Sequence, residues 1–175
     1  MRKLSLKELN RLSVEDYKVK EKHPLIIVLD NVRSALNVGS AFRTADSFAL
    51  HEIILVGITA CPPHREITKT AIGATESVDW KHMDTVEETI KYLKENSYKI
   101  LPVEQAEMST SLDKLQVQTN EKVALIFGNE VKGVSQQFMD IAENCVEIPQ
   151  FGTKHSLNIS VSLGIVSWHF VEKMI

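Results

Sequence analysis

Residues 123–135 read VALIFGNEVKGVS, an uninterrupted apolar run that passes directly into a polar segment containing glycine. The run Val123–Gly128 shows no alternation of polar and apolar residues, which is typical of a strand buried on both faces of a parallel sheet. The polar residues that follow lead into a predicted helix over Val134–Glu143. An apolar strand, a polar loop and a helix in this order form the repeating unit of α/β proteins.

The same pattern recurs along the chain and predicts the fold class. Further short apolar runs predict strands at Leu25–Asp30, Glu52–Gly57, Lys99–Val103 and Cys145–Pro149. Periodic segments predict helices at Asn37–Ala49, Val86–Asn96 and Leu157–Lys173. We therefore expect one α/β domain over residues 23–175, with a mostly parallel sheet flanked by helices.

Residues 1–22 differ from this domain in pattern and charge. Lys3–Asn10 and Val14–Lys22 predict two short surface helices, or one broken helix, packed on the domain as an arm. The arm carries seven Lys or Arg against four Asp or Glu, a balance of +3, and the remaining residues carry 13 against 19, a balance of −6. A mildly basic arm suits weak contact with a polyanion, and a solvated helix face is the alternative interpretation.

The composition excludes several classes of protein. With 175 residues, 43% of them hydrophobic and 25% charged, the chain can bury a core without disulfides or a structural metal. Cys61 and Cys145 lie far apart and outside any CxxC motif, which predicts reduced thiols in a cytoplasmic protein. No signal peptide or run of membrane-spanning length is present, and the six histidines show no metal-ligand spacing, so we expect neither a membrane partner nor a metal.

Three polar segments follow predicted strands, at the edge of a parallel sheet where ligands bind. They are DNVRSALNVGSAFRTAD at residues 30–46, GNEVKGVS at 128–135 and IPQFGTKHSLNIS at 148–160. Turn chemistry also favours Asn, Gly and Ser, so connecting loops are the alternative interpretation. None of the three is a GxGxxG or Walker sequence, and no GxSxG elbow is present, which argues against a dinucleotide, a P-loop nucleotide or hydrolase chemistry.

Four side chains in these segments are candidates for a site, each with a simpler alternative. Arg43 suits bidentate capture of a phosphate, or it is a solvated surface residue. Glu130 suits a ligand or an orienting contact to Arg43, or it is a surface or N-cap carboxylate. Ser156 and Asn158 lie at a helix start that favours anionic ligands, or the small residues of this helix serve only tight packing.

Together, the three segments resemble the three sequence motifs of the SpoU family, the TrmH-type branch of the SPOUT RNA methyltransferases. The motifs are NVRSALNVGSAFRTAD at 31–46, VALIFGNEVKGVS at 123–135 and VEIPQFGTKHSLNISVSLGIV at 146–166, and PPHREITKTAIGATESVDW at 62–80 is similar to the family's central region. The resemblance implies an α/β fold with a deep trefoil knot and a homodimer. It further implies S-adenosylmethionine bound in the knot, and methyl transfer to a ribose 2′-hydroxyl of transfer or ribosomal RNA.

The resemblance also assigns roles to individual residues. It implies a cofactor site at Phe127, Gly128, Asn129, Ile148 and Leu157. It implies catalytic positions at Asn37, Arg43, Glu130, Ser156 and Asn158. RNA contacts are expected from the arm and from Arg33, Arg43, Lys132 and Lys154.

The mechanistic hypothesis centres on Arg43. We expect it to bind the phosphate next to the target ribose and to ease loss of the hydroxyl proton electrostatically, because a guanidinium stays protonated at neutral pH. Gln150 stands where the family has methionine, and Ser162 where alanine is commoner; neither is a polar catalytic position. A non-catalytic knotted module that holds RNA, and a base methyltransferase of the wider class, remain as alternatives.

Overall fold

A computed structural model describes residues 1–5 and 7–175 of the chain. The predicted helix Lys3–Asn10 falls partly on residue 6, which lies outside the described residues; a 3₁₀ turn occupies Lys7–Leu9. The α-helices are α1 Val14–Val19, α2 Ala35–Ser47, α3 Arg65–Ala71, α4 Ala74–Ser77, α5 Val86–Glu95, α6 Gln136–Ile141 and α7 Ile159–Val171. The strands are β1 His23–Asp30, β2 Leu50–Val56, β3 Trp80–Met83, β4 Lys99–Pro102, β5 Thr110–Ser111, β6 Val123–Phe127 and β7 Val146–Glu147.

The main sheet has five strands in the order β3-β2-β1-β6-β4, and every neighbouring pair is parallel. Val28 in the central strand β1 pairs with Ile54 of β2 on one side and with Ile126 of β6 on the other. Because all five strands run the same way, their carboxyl ends lie along one edge of the sheet. The predicted α/β fold with a mostly parallel sheet is confirmed, and the trefoil knot stays a prediction.

Alternate side chains of β1 belong to two hydrophobic cores, one on each face of the sheet. Ile27 and Leu29 share a core with α2 and α7, where Phe42 and Leu163 are buried. On the other face, Val28 shares a core with α5 and α6. Burial on both faces explains why β1 and β6 are apolar at almost every position.

Capping residues explain two boundaries that differ from the predicted ones. Helix α2 begins at Ala35 because the Ser34 side chain accepts a hydrogen bond from the Asn37 backbone amide, 3.3 Å away. Helix α7 begins at Ile159 because the Asn158 side chain accepts from the Ser160 amide at 2.8 Å.

The prediction of a buried strand over Cys145–Pro149 was wrong in length and placement. Strand β7 has two residues and pairs with β5 in a separate two-stranded sheet, and Pro149, which has no backbone N–H to donate, lies outside it. The sequence also did not predict β3, α3 and α4; β3 is a short edge strand with the sequence WKHM, which lacks an apolar run. Within the described part of the chain, no helix is long and apolar enough to cross a membrane.

Helix α1 holds the arm against the domain through Tyr17. The Tyr17 side chain is buried, and its hydroxyl donates a hydrogen bond to the backbone carbonyl of Ala45 in α2 at 3.3 Å. The Lys22 ammonium lies 4.1 Å from the centre of the Tyr17 ring and donates to the Tyr17 carbonyl. The arm is therefore anchored on α2 at one aromatic residue.

Candidate functional site

A cavity of about 220 Å³ opens at the carboxyl ends of β4 and β6. All five positions that the resemblance assigns to the cofactor line it, and so do Glu130 and Ser156. Its lining is Val103, Glu104, Gln105, Phe127, Gly128, Asn129, Glu130, Val131, Gly133, Glu147, Ile148, Gln150, Ser156, Leu157, Ile159 and Ser162. The second and third motifs therefore meet at one cavity.

The loop after β6 closes on itself beside this cavity. Asn129 and Gly133 exchange backbone hydrogen bonds of 3.0 and 2.9 Å. A Cβ atom on Gly128 would lie 2.1 Å from the backbone nitrogen of Val134, so this position accepts no side chain. Gly133 has a φ of 70°, which favours glycine. The loop therefore needs glycine at both positions, Gly128 for its close packing on the backbone and Gly133 for its positive φ.

Asn129 joins the second motif to the first through its side chain. Its Oδ1 accepts hydrogen bonds from the backbone amides of Val131 and Lys132 at 2.9 and 3.0 Å. Its Nδ2 donates to the carbonyl of Asn31 at 2.7 Å. These three bonds commit the Asn129 side-chain amide to the structure of the loop.

Glu130 holds the start of the first motif. Its carboxylate accepts hydrogen bonds from the backbone amides of Arg33 and Ser34, each at 3.0 Å, and from the Asn37 side chain at 3.3 Å. Partial burial alone would raise the pKa of Glu130, but these donors outweigh it and hold the pKa below its ordinary value. Glu130 is therefore a charged anchor for the loop between β1 and α2.

Asn37 extends this contact to the third motif. Its Oδ1 accepts a hydrogen bond from the Asn158 side-chain amide at 3.3 Å. Glu130, Asn37 and Asn158 thus form one polar chain that runs through all three motifs. Ser156 lines the cavity two residues before Asn158.

Arg43 lies outside this polar chain. The described hydrogen bonds of Glu130 come from Arg33, Ser34 and Asn37, so an orienting contact from Glu130 to Arg43 stays a prediction. Arg43 lies six positions after Asn37, and at about 100° per residue the two side chains project from different faces of α2. Arg43 is exposed and lines a second, larger cavity beneath the arm.

The remaining predicted RNA contacts are all on the surface. Arg33, Lys132 and Lys154 are exposed, and each lies in one of the three polar segments. Their cationic groups are therefore accessible to a polyanion.

Two carboxylates at the site were not predicted. Asp30 is fully buried at the end of β1, where it accepts hydrogen bonds from the Ser135 amide at 2.6 Å and the Ser135 hydroxyl at 3.0 Å. Glu104 accepts from the Val134 amide at 3.1 Å and lines the cavity. Both clamp the end of the second motif. Asp30 ends an otherwise apolar strand, and that acid directly after LIIVL was the available signal.

The described residues contain no group of three or more His, Cys, Asp or Glu side chains that could hold a metal ion. The groups that line the first cavity are instead carboxylates, amides, two hydroxyls and apolar side chains.

A sequence model of the SpoU rRNA Methylase family matches residues 24–168. The chain belongs to this SpoU family. Among curated SpoU relatives, it is 31% identical over 143 residues to the 23S rRNA (guanosine-2′-O-)-methyltransferase RlmB of Neisseria meningitidis. That alignment covers 82% of this chain and 56% of the relative. It is also 29% identical to an uncharacterized tRNA/rRNA methyltransferase of Borreliella burgdorferi, with 92% and 69% of the two chains covered.

Solved structures of SpoU-type proteins share the fold. An AdoMet-bound rRNA methyltransferase from Sinorhizobium meliloti superposes with a TM-score of 0.82 at 25% identity, covering 89% of this chain and 58% of that one. The A. aeolicus TrmH/SpoU tRNA modifying enzyme gives 0.80 at 23% identity, covering 95% and 82%. The chain thus spans between about half and two thirds of the length of several relatives, including 56% and 66% of two RlmB proteins.

Proposed function

We propose that this protein transfers a methyl group from S-adenosylmethionine to a ribose 2′-hydroxyl of ribosomal or transfer RNA. The observation that carries the proposal is that the second and third motifs meet at one cavity, and that the hydrogen bonds of Glu130, Asn37 and Asn158 join the first motif to them. The names of the SpoU relatives, which include guanosine-2′-O-methyltransferases of 23S rRNA, support the same reaction.

The first cavity has the chemistry needed for S-adenosylmethionine. Val103, Ile148 and Leu157 offer apolar surface for an adenine ring, and Gly128, packed closely on Gly133 and Val134, brings the loop after β6 to the cavity wall. Glu104 and Gln105 add polar groups for the ribose and the amino acid portion. When bound, S-adenosylmethionine supplies an electrophilic methyl group attached to a cationic sulfur.

The polar chain beside the cavity would orient the ribose. The Asn37 side-chain amide donates to Glu130 and accepts from Asn158, so both amides are already ordered before RNA binds. Ser156 offers a hydroxyl at the edge of the cavity. Their task is to hold the 2′-hydroxyl in line with the methyl group.

Arg43 requires a second copy of the chain to reach this cavity. The exposed face of α7 carries Val161, Ile165 and Trp168, which are 49%, 40% and 47% exposed. With Leu157, they recur about every four residues and form one apolar stripe, as expected for a helix that packs on a partner. We infer a homodimer through α7, in which Arg43 of one subunit binds the RNA phosphate at the other's cavity and eases loss of the hydroxyl proton.

We further propose that the protein is cytoplasmic, where it would meet its RNA substrate. The free state of Cys61 and Cys145 agrees with a reducing compartment.

The first experiment is transfer of labelled methyl from S-adenosylmethionine to separate pools of unmodified transfer RNA and ribosomal RNA, followed by digestion to nucleosides. A labelled 2′-O-methyl nucleoside supports the proposal and names the substrate pool. Label on a base would identify a base methyltransferase instead. No label despite binding of both S-adenosylmethionine and RNA would identify the non-catalytic module.

Arg43 variants test the assigned role. Arg43→Ala should abolish transfer and leave cofactor binding nearly intact, and Arg43→Lys should retain part of the activity because it keeps the charge without the planar fork. Equal loss of transfer and of cofactor binding in Arg43→Ala would show that Arg43 is a structural residue.

A further inference from the structure

A second cavity, of about 540 Å³, lies between the arm, α2 and α4. It is separate from the cofactor cavity, and its lining includes Arg11, Lys20, Arg43, Asp46, Ser47 and Glu76. We propose that this cavity is a subsite for a single-stranded segment of the RNA substrate, with the phosphates on the cations of the arm and the bases inside. This inference rests on the proposed function and adds a binding role for the arm.

The charges around the cavity favour an anionic ligand. Arg11 and Lys20 come from the arm and Arg43 from α2, so exposed cations border the cavity from two separate elements. Of the two carboxylates, Asp46 accepts a hydrogen bond from the Ser77 hydroxyl, while Glu76 is exposed. Three exposed cations together with hydroxyl groups in one lining match the requirements of a nucleotide.

The shape of the cavity favours a single strand over a duplex. Its walls are held in place, because Tyr17 anchors α1 on α2 and Ser13 caps α1. A duplex presents its phosphates on a convex surface, whereas a concave cavity beneath the arm admits unstacked nucleotides.

Ile72 adds an apolar surface at the rim. It ends α3 with a φ of 50°, a conformation that β-branched residues rarely adopt, and its side chain is 67% exposed. A base that enters the cavity would pack against this side chain.

The test compares two double variants that change the net charge equally. Arg11→Gln with Lys20→Gln removes the arm cations from the cavity, and Lys91→Gln with Lys94→Gln removes exposed cations from α5, on the opposite face of the sheet. Binding is measured without cofactor by fluorescence anisotropy, using an oligouridylate of about eight nucleotides and an RNA duplex of about twelve base pairs.

The salt dependence gives the expected size of the effect. Two phosphate contacts on a single strand contribute about 1.4 to the slope of log affinity against log salt. From about 50 to 200 mM salt, the wild type should therefore lose about sevenfold more affinity for oligouridylate than the arm variant, and the α5 variant should behave as wild type. Equal behaviour of the two variants, or an equal loss with the duplex, would overturn the proposal.

The Ser47→Leu variant tests whether RNA enters the cavity or only contacts an open charged surface. Ser47 lines the cavity at the end of α2, and its hydroxyl donates only to the carbonyl of Arg43 in the same helix. Leucine adds bulk inside the cavity and leaves the charge unchanged, so it should weaken oligouridylate binding. Wild-type affinity in Ser47→Leu would show that the cations form an open patch and would overturn the cavity assignment.

Methyl transfer and cofactor affinity are measured separately on the same proteins. If the arm variant loses RNA binding but the wild type transfers no methyl group, the subsite is supported and the proposed function is rejected. If the wild type transfers methyl groups but the arm variant binds RNA as the wild type does, the proposed function is supported and the subsite is rejected.

Discussion

A single carboxylate, that of Glu130, holds the loop between β1 and α2 from 96 residues away along the chain, measured to Ser34. The two backbone amides that it accepts from belong to successive residues, and the third donor is the Asn37 side chain. The geometry of the first motif therefore depends on a charge in the second motif.

This dependence predicts a pH effect that Glu130→Gln removes. The folded pKa of Glu130 lies below its ordinary value of 4.5, so the carboxylate stabilises the folded state above that pH and the contribution disappears as pH falls through the folded pKa. We expect Glu130→Gln to cost about 1 kcal/mol near neutral pH, a modest value because the group is exposed. Urea unfolding from about pH 7 to pH 3 measures it.

Glu107→Gln, at another exposed carboxylate, is the control and should follow the wild type. A difference between wild type and Glu130→Gln that stays constant over this pH range would contradict the assignment.

Asn158 has two separable tasks, capping α7 and holding Asn37. Asn158→Ala removes the cap and should lower the free energy of unfolding by about 1 kcal/mol. It also removes the contact to Asn37 and should abolish methyl transfer. Asn158→Ser should keep the cap, because serine is an equally good N-cap residue, yet its shorter side chain does not reach Asn37. Thermal unfolding and transfer assays on both variants separate the tasks; full activity in Asn158→Ser would show that capping is its only role.

For single residues, the sequence predicted which side chains belong to the site better than it predicted their hydrogen-bond partners. Glu130, Asn37 and Asn158 were singled out from the resemblance, and the structure joins them by hydrogen bonds. Asp30 and Glu104 were not predicted: the acid after LIIVL marks Asp30, but nothing local in the sequence shows that either carboxylate accepts hydrogen bonds from the distant loop after β6. Their partners are set by tertiary contact.

Among the elements, the loop after β6 has little tolerance for change at Gly128. A Cβ atom on Gly128 would lie 2.1 Å from backbone atoms of Gly133 and Val134, which no flexible side chain can relieve. Gly128→Ala should therefore destabilise the protein by about 1–3 kcal/mol and abolish cofactor binding. Calorimetric titration with S-adenosylmethionine measures the loss.

Gly152→Ala is the matched control, because a Cβ atom there meets nothing within 4 Å. Equal cofactor affinity in Gly128→Ala and the wild type would show that the loop adjusts and that close approach is not required.

Elements with a strong apolar signal were predicted within a few residues, and weak ones were missed. β1 and β6 are buried on both faces and stand out in sequence. β3 is an edge strand with polar residues, and α4 is a single turn of four residues, so neither contains enough periodicity to be detected. The pairing of β7 with β5 depends on a neighbour that sequence does not reveal.

For the whole molecule, the exposed stripe on α7 predicts the oligomeric state. Ile165→Glu places a charge in the stripe and should convert a dimer into a monomer, because burying an unpaired carboxylate is unfavourable. Val19→Glu changes an apolar residue that is 85% exposed on α1, and it should leave the mass unchanged. Light scattering after size exclusion gives the mass; a dimer that survives Ile165→Glu would place the interface elsewhere.

The strand order has a consequence for how the chain is made. The sheet runs β3-β2-β1-β6-β4, yet β6 is synthesised after the other four strands. Until Phe127 has left the ribosome, one edge of β1 is open and β4 has no neighbour to pair with. An open apolar edge invites pairing with other nascent chains. We therefore expect the sheet to close in one late step during translation, and a chain stalled before β6 to need a chaperone.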